Sequence, residues 1–150
     1  MTICVLSVII PKFNITPAGN RKVVLMGCVT SNRVAKSSET LNFQNILQSS
    51  GIKNISSFHS TGQFTCEKAG FYFISVVIAS NSDKAGFQIM KKSVKVSVSW
   101  HTGGGDNSFY TSVIAIAVVE LHANDNIEIV ADRISSMYDD KSSCLTLFKL

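Results

Sequence analysis

Two neighbouring segments decide the fold: TGQFTC at residues 61–66 and GFYFISVVIA at residues 70–79. The first predicts a Thr-Gly turn before a short strand, and the second predicts a longer strand that is apolar on both faces. Successive side chains of a strand point to opposite faces of its sheet, so a half-solvated antiparallel sheet alternates apolar and polar residues. Residues 70–79 lack this alternation, which indicates that a second layer or another subunit covers their other face.

Composition predicts a single domain with little charged surface. The chain has 150 residues, of which 45% are hydrophobic and only 16% are charged. This deficit of charge indicates that much of the surface is buried within or between subunits. The net charge is +4 and the basic residues are dispersed among apolar strands. We therefore expect no nucleic-acid partner.

The N-terminal segment, residues 1–20, is set apart from the rest of the chain. Its apolar part, residues 2–10, is too short to span a bilayer and stops at Pro11, so we expect no membrane insertion. It also lacks a basic residue before the apolar core and a small-residue cleavage site. A leader remnant, a mis-started reading frame and an extra edge strand remain alternatives. The folded domain is predicted at residues 21–150.

Short strands separated by polar turns fill that domain. We predict strands at 23–29, 41–45, 70–79, 94–100, 113–121, 127–131 and 145–150, and a polar loop at 48–57. Residues 94–100 alternate most clearly, with valines and Trp100 on one face. The sequence shows no sustained helical periodicity and no heptad repeat. These features favour an all-β sandwich or jelly roll.

No motif in the sequence indicates catalysis. The histidines at 59, 101 and 122 fall in three separate segments, and the chain contains neither Gly-x-Ser-x-Gly nor His-Glu-x-x-His. The glycines at 103–105 lack the Lys-Ser/Thr of a phosphate-binding loop. We therefore expect a protein that is not an enzyme and needs no cofactor.

The two opening segments resemble the signature of the complement C1q globular-head domain, in which T-G-x-F-x-C/x-P precedes G-x-Y-x-F. Further resemblances follow in the expected order: RKVVL at 21–25, LNFQNI at 41–46 and LHANDNI at 121–127. Residues 143–150 are similar to the last strand of head-only invertebrate members, such as those of bivalve molluscs. Glu67 and Asn124 depart from the pattern, because they stand where the family has proline and glycine.

This resemblance implies an all-β, C1q/tumour necrosis factor-like jelly-roll sandwich of two antiparallel sheets that assembles as a homotrimer. It also implies a secreted, lectin-like pattern-recognition protein of innate immunity that binds glycans or microbial surface ligands. The alternatives are a cytokine-like or hormone-like ligand of a protein receptor and a structural trimerising module. One strand would supply both core and trimer interface, through Tyr72, Ile74, Val76 and Ile78.

The candidate ligand-binding residues lie in the loop 101–110. They are His101, Asp106, Asn107 and Tyr110. Together they can hydrogen-bond the hydroxyls of a sugar and stack on its ring, although an ordinary solvated loop would carry similar residues. Some relatives bind calcium near the trimer axis. Asp106 is the only carboxylate in this loop and calcium needs six or more oxygen ligands, so calcium is a minor hypothesis here.

Two further features concern covalent modification. In a jelly roll of this kind the first strand lies beside the last, so the resemblance implies a possible disulfide between Cys28 and Cys144. Cys66 could pair instead, or the cysteines could stay buried thiols. Asn14 and Asn54 begin the glycosylation sequons Asn-Ile-Thr and Asn-Ile-Ser, which fit a secreted protein.

Overall fold

A computed structural model describes residues 22–102 and 110–150. These residues form eleven strands and one helix: β1 (Val24–Cys28), β2 (Arg33–Ala35), β3 (Asn45–Ser50), α1 (Ile55–Thr61), β4 (Phe64–Thr65), β5 (Gly70–Ser80), β6 (Gly86–Lys91), β7 (Val94–Trp100), β8 (Thr111–Leu121), β9 (Asn126–Ala131), β10 (Ser135–Met137) and β11 (Cys144–Lys149).

The strands form a sandwich of antiparallel sheets. One sheet has five strands in the order β3-β1-β11-β5-β8, and the facing sheet has four in the order β4-β9-β6-β7. A short sheet pairs β10 with β2. The first long strand, β1, lies beside the last, β11, with Val24 opposite Phe148 and Cys28 opposite Cys144. The predicted all-β sandwich of two antiparallel sheets is confirmed.

Strand β5 belongs to the five-stranded sheet and carries apolar residues on both of its faces. The side chains of Tyr72, Ile74, Val76 and Ile78 are fully buried between the sheets. The facing sheet closes this core with five of its own apolar residues: Phe64, Phe87, Ile89, Ile127 and Ile129. Burial of each large apolar side chain contributes roughly 1.5–3 kcal/mol. The four β5 residues therefore belong to the core, and their burial excludes the predicted contact with another subunit.

The signature residues form one local unit around Gly62. Gly62 ends α1 at φ 75°, and its N–H donates to the carbonyl of Phe58 at 2.8 Å. A Cβ at this position would lie 2.2 Å from the carbonyl oxygen of Leu41. Both the left-handed backbone and the close approach require glycine. The Thr-Gly pair is thus a helix end that aims the chain into β4.

Tyr72 ties this unit to β5. Its hydroxyl donates to the carbonyl oxygen of Lys68 at 2.6 Å, and its ring packs on Phe64 at 5.8 Å between centroids. The buried thiol of Cys66 lies 3.8 Å from the same hydroxyl. Glu67, which replaces the usual proline, accepts hydrogen bonds from the backbone amides of Lys53 and Asn54. This substitution therefore fastens the β4–β5 connection to the segment before α1.

Several strand predictions are confirmed, and two are wrong. Strands β1, β5, β8, β9 and β11 occupy the predicted positions within a few residues. Residues 41–44 form no strand, although the N–H of Leu41 donates to the carbonyl of Ile129 in β9 at 2.8 Å; the side chains of Leu41 and Phe43 are fully buried in the core. The predicted loop at 48–57 instead contains the end of β3 and the start of α1. Strand β7 forms as predicted, but its alternation does not bury the valines, since Val94 and Val96 are exposed.

A disulfide joins Cys28 to Cys144, and Cys66 stays a free thiol. The bond links β1 and β11 across a sequence separation of 116 residues. Closing so large a loop lowers the entropy of the unfolded chain, which in the chain-entropy model stabilises the fold.

We expect the double variant Cys28→Ser/Cys144→Ser to lower the free energy of unfolding by about 2–5 kcal/mol. Urea titration of the variant and of the wild type, with and without reductant, measures the effect. The urea midpoint of the wild type in reductant should equal that of the variant, and the oxidised wild type should have a higher midpoint. Equal midpoints in all four samples would contradict a stabilising bond.

The turn between β8 and β9 is held by a buried carboxylate. Asp125 accepts a hydrogen bond from the backbone N–H of His122 at 2.9 Å and lies 2.9 Å from the ammonium of Lys92. These contacts, with the His122 amide foremost, hold the pKa of Asp125 well below its usual range. Asn124 adopts φ 70° beside it, a conformation that asparagine tolerates better than other non-glycine residues. That tolerance accounts for its replacement of the family glycine.

We expect Asp125→Asn to be less stable than the wild type at neutral pH, with a difference that narrows in acid. A carboxyl whose pKa is depressed by folding stabilises the protein above its unfolded pKa of about 3.9, and this contribution is lost as the pH falls below that value. Denaturation at fixed protein concentration between neutral pH and pH ~2 tests this. A constant difference across that range would contradict the assignment.

Candidate functional site

One end of the sandwich gathers most of the long connections. The strands are antiparallel, so this end collects the last residues of β1, β5, β7 and β9 and the first residues of β6, β8 and β11. The pairs Cys28–Cys144 and Ser80–Thr111 show this arrangement. We call this the apical end. The start of β1 and the end of β11 lie at the opposite end.

The apical end contains an open depression of about 340 Å³. Its lining combines two aromatic rings with carboxylates, an amide and a hydroxyl: Asn32, Ala79, Tyr110, Tyr138, Asp139, Asp140 and Ser142. The rings of Tyr110 and Tyr138 meet edge to face at 4.5 Å between centroids. Tyr110 is 66% exposed, so much of its ring is available to a ligand.

Backbone contacts hold the acidic side of this depression. The N–H of Tyr138 donates to the carbonyl of Ala79 at 3.1 Å, and the N–H of Asp139 donates to the side-chain oxygen of Asn32 at 2.9 Å. The hydroxyl of Ser142 donates to the carbonyls of Tyr138 and Asp139. Asp140 turns the chain with φ 55°. The loop between β10 and β11 is thereby attached to the end of β5 and to the β1–β2 connection.

The phenol of Tyr138 stays protonated at physiological pH. Loss of solvent raises its pKa, and the neighbouring Tyr110 raises it further. A neutral phenol can both donate and accept a hydrogen bond, so the depression offers a neutral polar group beside its two carboxylates.

The predicted binding residues have different positions. Tyr110 lines the depression, whereas His101 is half-buried at the end of β7 and donates its backbone N–H to the carbonyl of Ala85. Asp106 and Asn107 lie outside the described residues, as does the sequon at Asn14. Sequence reasoning missed Tyr138, Asp139 and Asp140. A tyrosine directly before two aspartates was the available signal.

A second aromatic group lies on the edge of the four-stranded sheet. The indole N–H of Trp100 donates to Asp132 at 2.7 Å, and the Arg133 guanidinium lies 5.9 Å from the ring centroid. A Cβ on Gly86 would lie 2.6 Å from the ring, so glycine is needed there for the indole to approach β6 this closely. Trp100 is thus 52% exposed yet joined to Asp132 by a hydrogen bond.

The described residues contain neither a cluster of metal-ligating side chains nor a helix that could span a membrane. Within residues 22–102 and 110–150, no three His, Cys, Asp or Glu side chains are grouped closely enough to hold an ion. Asp139 and Asp140 supply carboxylates, but calcium requires at least six oxygens. No helix in the same ranges is long and apolar enough to cross a membrane.

Strand order and pairing define the class as a jelly-roll sandwich of the C1q and tumour necrosis factor kind. The family model of the C1q domain matches residues 26–149, and the chain therefore belongs to the C1q domain family. This confirms the resemblance predicted from the signature segments. Membership makes the protein a recognition or ligand module of a kind that trimerises.

Solved structures agree on the fold. The globular domain of zebrafish complement 1qA protein is 17% identical, with a TM-score of 0.66 over 85% of this chain and 97% of that one. Eiger TNF from S. frugiperda is 13% identical, with a TM-score of 0.68 over 87% and 94%. Murine APRIL at pH 5.0 is also 13% identical, with a TM-score of 0.68 over 86% and 99%. No curated protein sequence matches significantly.

Proposed function

We propose that this protein is a secreted, non-enzymatic, lectin-like recognition protein of innate immunity. It acts as a homotrimer and binds glycans or microbial surface ligands at its apical end, through the folded domain 21–150. The observation that carries this proposal is the depression in which Tyr110 and Tyr138 stand beside Asp139 and Asp140. Family membership supports a recognition module in general, and this lining supports the class of ligand.

The chemistry of the depression suits a sugar. The exposed ring of Tyr110 provides an apolar plane on which the C–H face of a pyranose can stack. Asp139 and Asp140 accept hydrogen bonds from hydroxyls, and the amide of Asn32 can donate to them. A concave site with an aromatic wall and a few fixed polar groups is the usual design of a small-ligand site.

A homotrimer is supported by the outer face of the five-stranded sheet. On β8, Ile114, Ile116 and Val118 are 49–59% exposed. Their cross-strand partners on β5 include Phe73, which stacks on Phe148 of β11 at 5.0 Å. Monomers rarely expose an apolar patch this continuous, and such patches mark protein interfaces. Three copies would present three depressions at one end, and so bind a repetitive surface with avidity.

Secretion is supported by the disulfide Cys28–Cys144, because such bonds persist mainly in oxidising compartments. The same bond suits a protein that acts outside the cell without chaperones.

A cytokine-like ligand of a protein receptor is the second candidate. It is favoured by the likeness to Eiger TNF and APRIL, and by the exposed Trp100 and Val94 on β7, which lies against β8. A receptor could contact this aromatic and apolar edge without using the depression. A module that only trimerises would use neither surface.

We expect Ile116→Lys to convert the trimer to a folded monomer, because three buried ammonium groups would lack partners. Sedimentation at micromolar concentration, together with circular dichroism, measures both properties. The matched control is Val34→Lys, since Val34 is 61% exposed, against 53% for Ile116, but lies on β2, outside the apolar sheet face. A wild-type monomer, or a trimer that survives Ile116→Lys, would contradict the proposed interface.

We expect Tyr110→Ala and Asp139→Asn to weaken binding of a glycan or lipopolysaccharide ligand by about tenfold per site, which corresponds to about 1.4 kcal/mol. A glycan array with wild-type trimer selects the probe, and calorimetry with that glycan measures the loss. Asp83→Asn is the matched control, because Asp83 is exposed in the β5–β6 connection but does not line the depression. A trimer that binds no glycan or bacterial surface, yet captures one cell-surface protein that sugars do not displace, would favour the receptor-ligand alternative.

A further inference from the structure

The second sequon, Asn54-Ile55-Ser56, lies at the surface, with its asparagine and its serine exposed. The Asn54 side-chain oxygen accepts hydrogen bonds from the backbone N–H of Ser57 and from the hydroxyl of Ser56, both at 3.3 Å. The oxygen is thus turned toward α1. Among the described residues, nothing hydrogen-bonds to the side-chain nitrogen of Asn54, which is the atom that would carry a glycan.

We infer that Asn54 is an N-glycosylation site occupied in the native protein, an inference that rests on the proposed secretion. The donor is a lipid-linked oligosaccharyl diphosphate. The Asn54 side-chain nitrogen attacks the anomeric carbon and loses a proton, a C–N bond forms, and the C–O bond to the diphosphate breaks. The lipid diphosphate leaves with the electron pair and takes up the proton.

The fold tolerates a permanent glycan at this position. Asn54 and Ser56 are both exposed, and the local backbone is fastened independently of the Asn54 side chain by Glu67, which accepts from the Lys53 and Asn54 amides at 3.0 Å. Attachment to the side-chain nitrogen leaves the oxygen free to cap α1. Neither the core nor the cap has to change when the sugar is added.

The glycan would lie away from the apical depression, which is proposed to bind ligand, and from the β8 face, which is proposed to contact other subunits. Asn54 follows β3, whose last residue, Ser50, pairs with Val24 at the end of the sandwich opposite the apical depression. Strand β3 is also the far edge of its sheet from β8, four strand spacings or about 19 Å away. The glycan therefore occupies an edge that neither ligand binding nor the β8 face requires.

The test uses the full chain behind an added cleavable secretory leader, expressed in eukaryotic cells in an Asn14→Gln background that removes the other sequon. We expect one glycan, seen as an intact-mass increase that peptide-N-glycosidase removes while converting residue 54 to aspartate. Ser56→Ala should abolish the modification while keeping the Asn54 cap, and Ser56→Thr should retain it. Unmodified Asn54 in both the secreted and the retained protein would overturn the inference.

Ligand binding by the same proteins separates this inference from the proposed function. The added leader delivers the chain to the secretory pathway whatever its own targeting, so absence of the glycan bears on Asn54 alone. We expect the Ser56→Ala trimer to bind its glycan or lipopolysaccharide probe within about twofold of the modified protein, a difference under 1 kcal/mol. If neither protein binds a glycan or lipopolysaccharide probe, the lectin proposal is wrong, but the inference of glycosylation at Asn54 is unaffected.

Discussion

The fold depends on one constraint, the need to cover both faces of β5. The pleat turns alternate side chains of this strand toward the sandwich interior, where Tyr72, Ile74, Val76 and Ile78 are fully buried. The other face carries Phe71 and Phe73, which the domain itself leaves partly or largely in water. Burial on the first face stabilises the monomer, whereas the second face is the one that a neighbouring subunit of the proposed homotrimer would cover. In the proposed homotrimer, folding and assembly would thus depend on the two faces of one strand, and the loops at the end of that strand would be positioned by both.

The sequence pattern identified those strands in which every second residue is buried. Residues 70–79 and 127–131 are rich in β-branched and other apolar residues, which favour a strand over a helix or a loop, and both segments form strands. Pattern failed where tertiary contacts decide. The apolar residues of 41–45, Leu41 and Phe43, are buried in an irregular segment that precedes β3. Helix α1 has only seven residues, and it is stabilised by its Asn54 and Gly62 caps and by the buried Phe58. Short helices of this kind carry too few turns for a period to be visible.

The apical site was only partly accessible to sequence reasoning, for a different physical reason. Tyr110 and Tyr138 are distant along the chain, and their edge-to-face contact exists because β8 begins beside the end of β5, where the β10–β11 loop also attaches. Loop residues carry no periodic signal, so their grouping follows from topology alone. Asp139 and Asp140 have the composition of an ordinary solvated turn, and only their position beside two aromatic rings distinguishes them.

The disulfide also determines how the domain responds to a mechanical load. Force applied between Val24 and Lys149 acts at one end of the β1–β11 ladder, because these strands are antiparallel neighbours. The ladder would open one pair at a time from Val24–Phe148 and stop at Cys28–Cys144, the last pair before the apical loops. Extension would end after the four pairs from Val24–Phe148 to Gly27–Leu145. The disulfide would then carry the load past the segment between the two cysteines, which contains every residue of the depression. A domain tethered through its ends to a moving surface could thus yield partially while its ligand site stays intact.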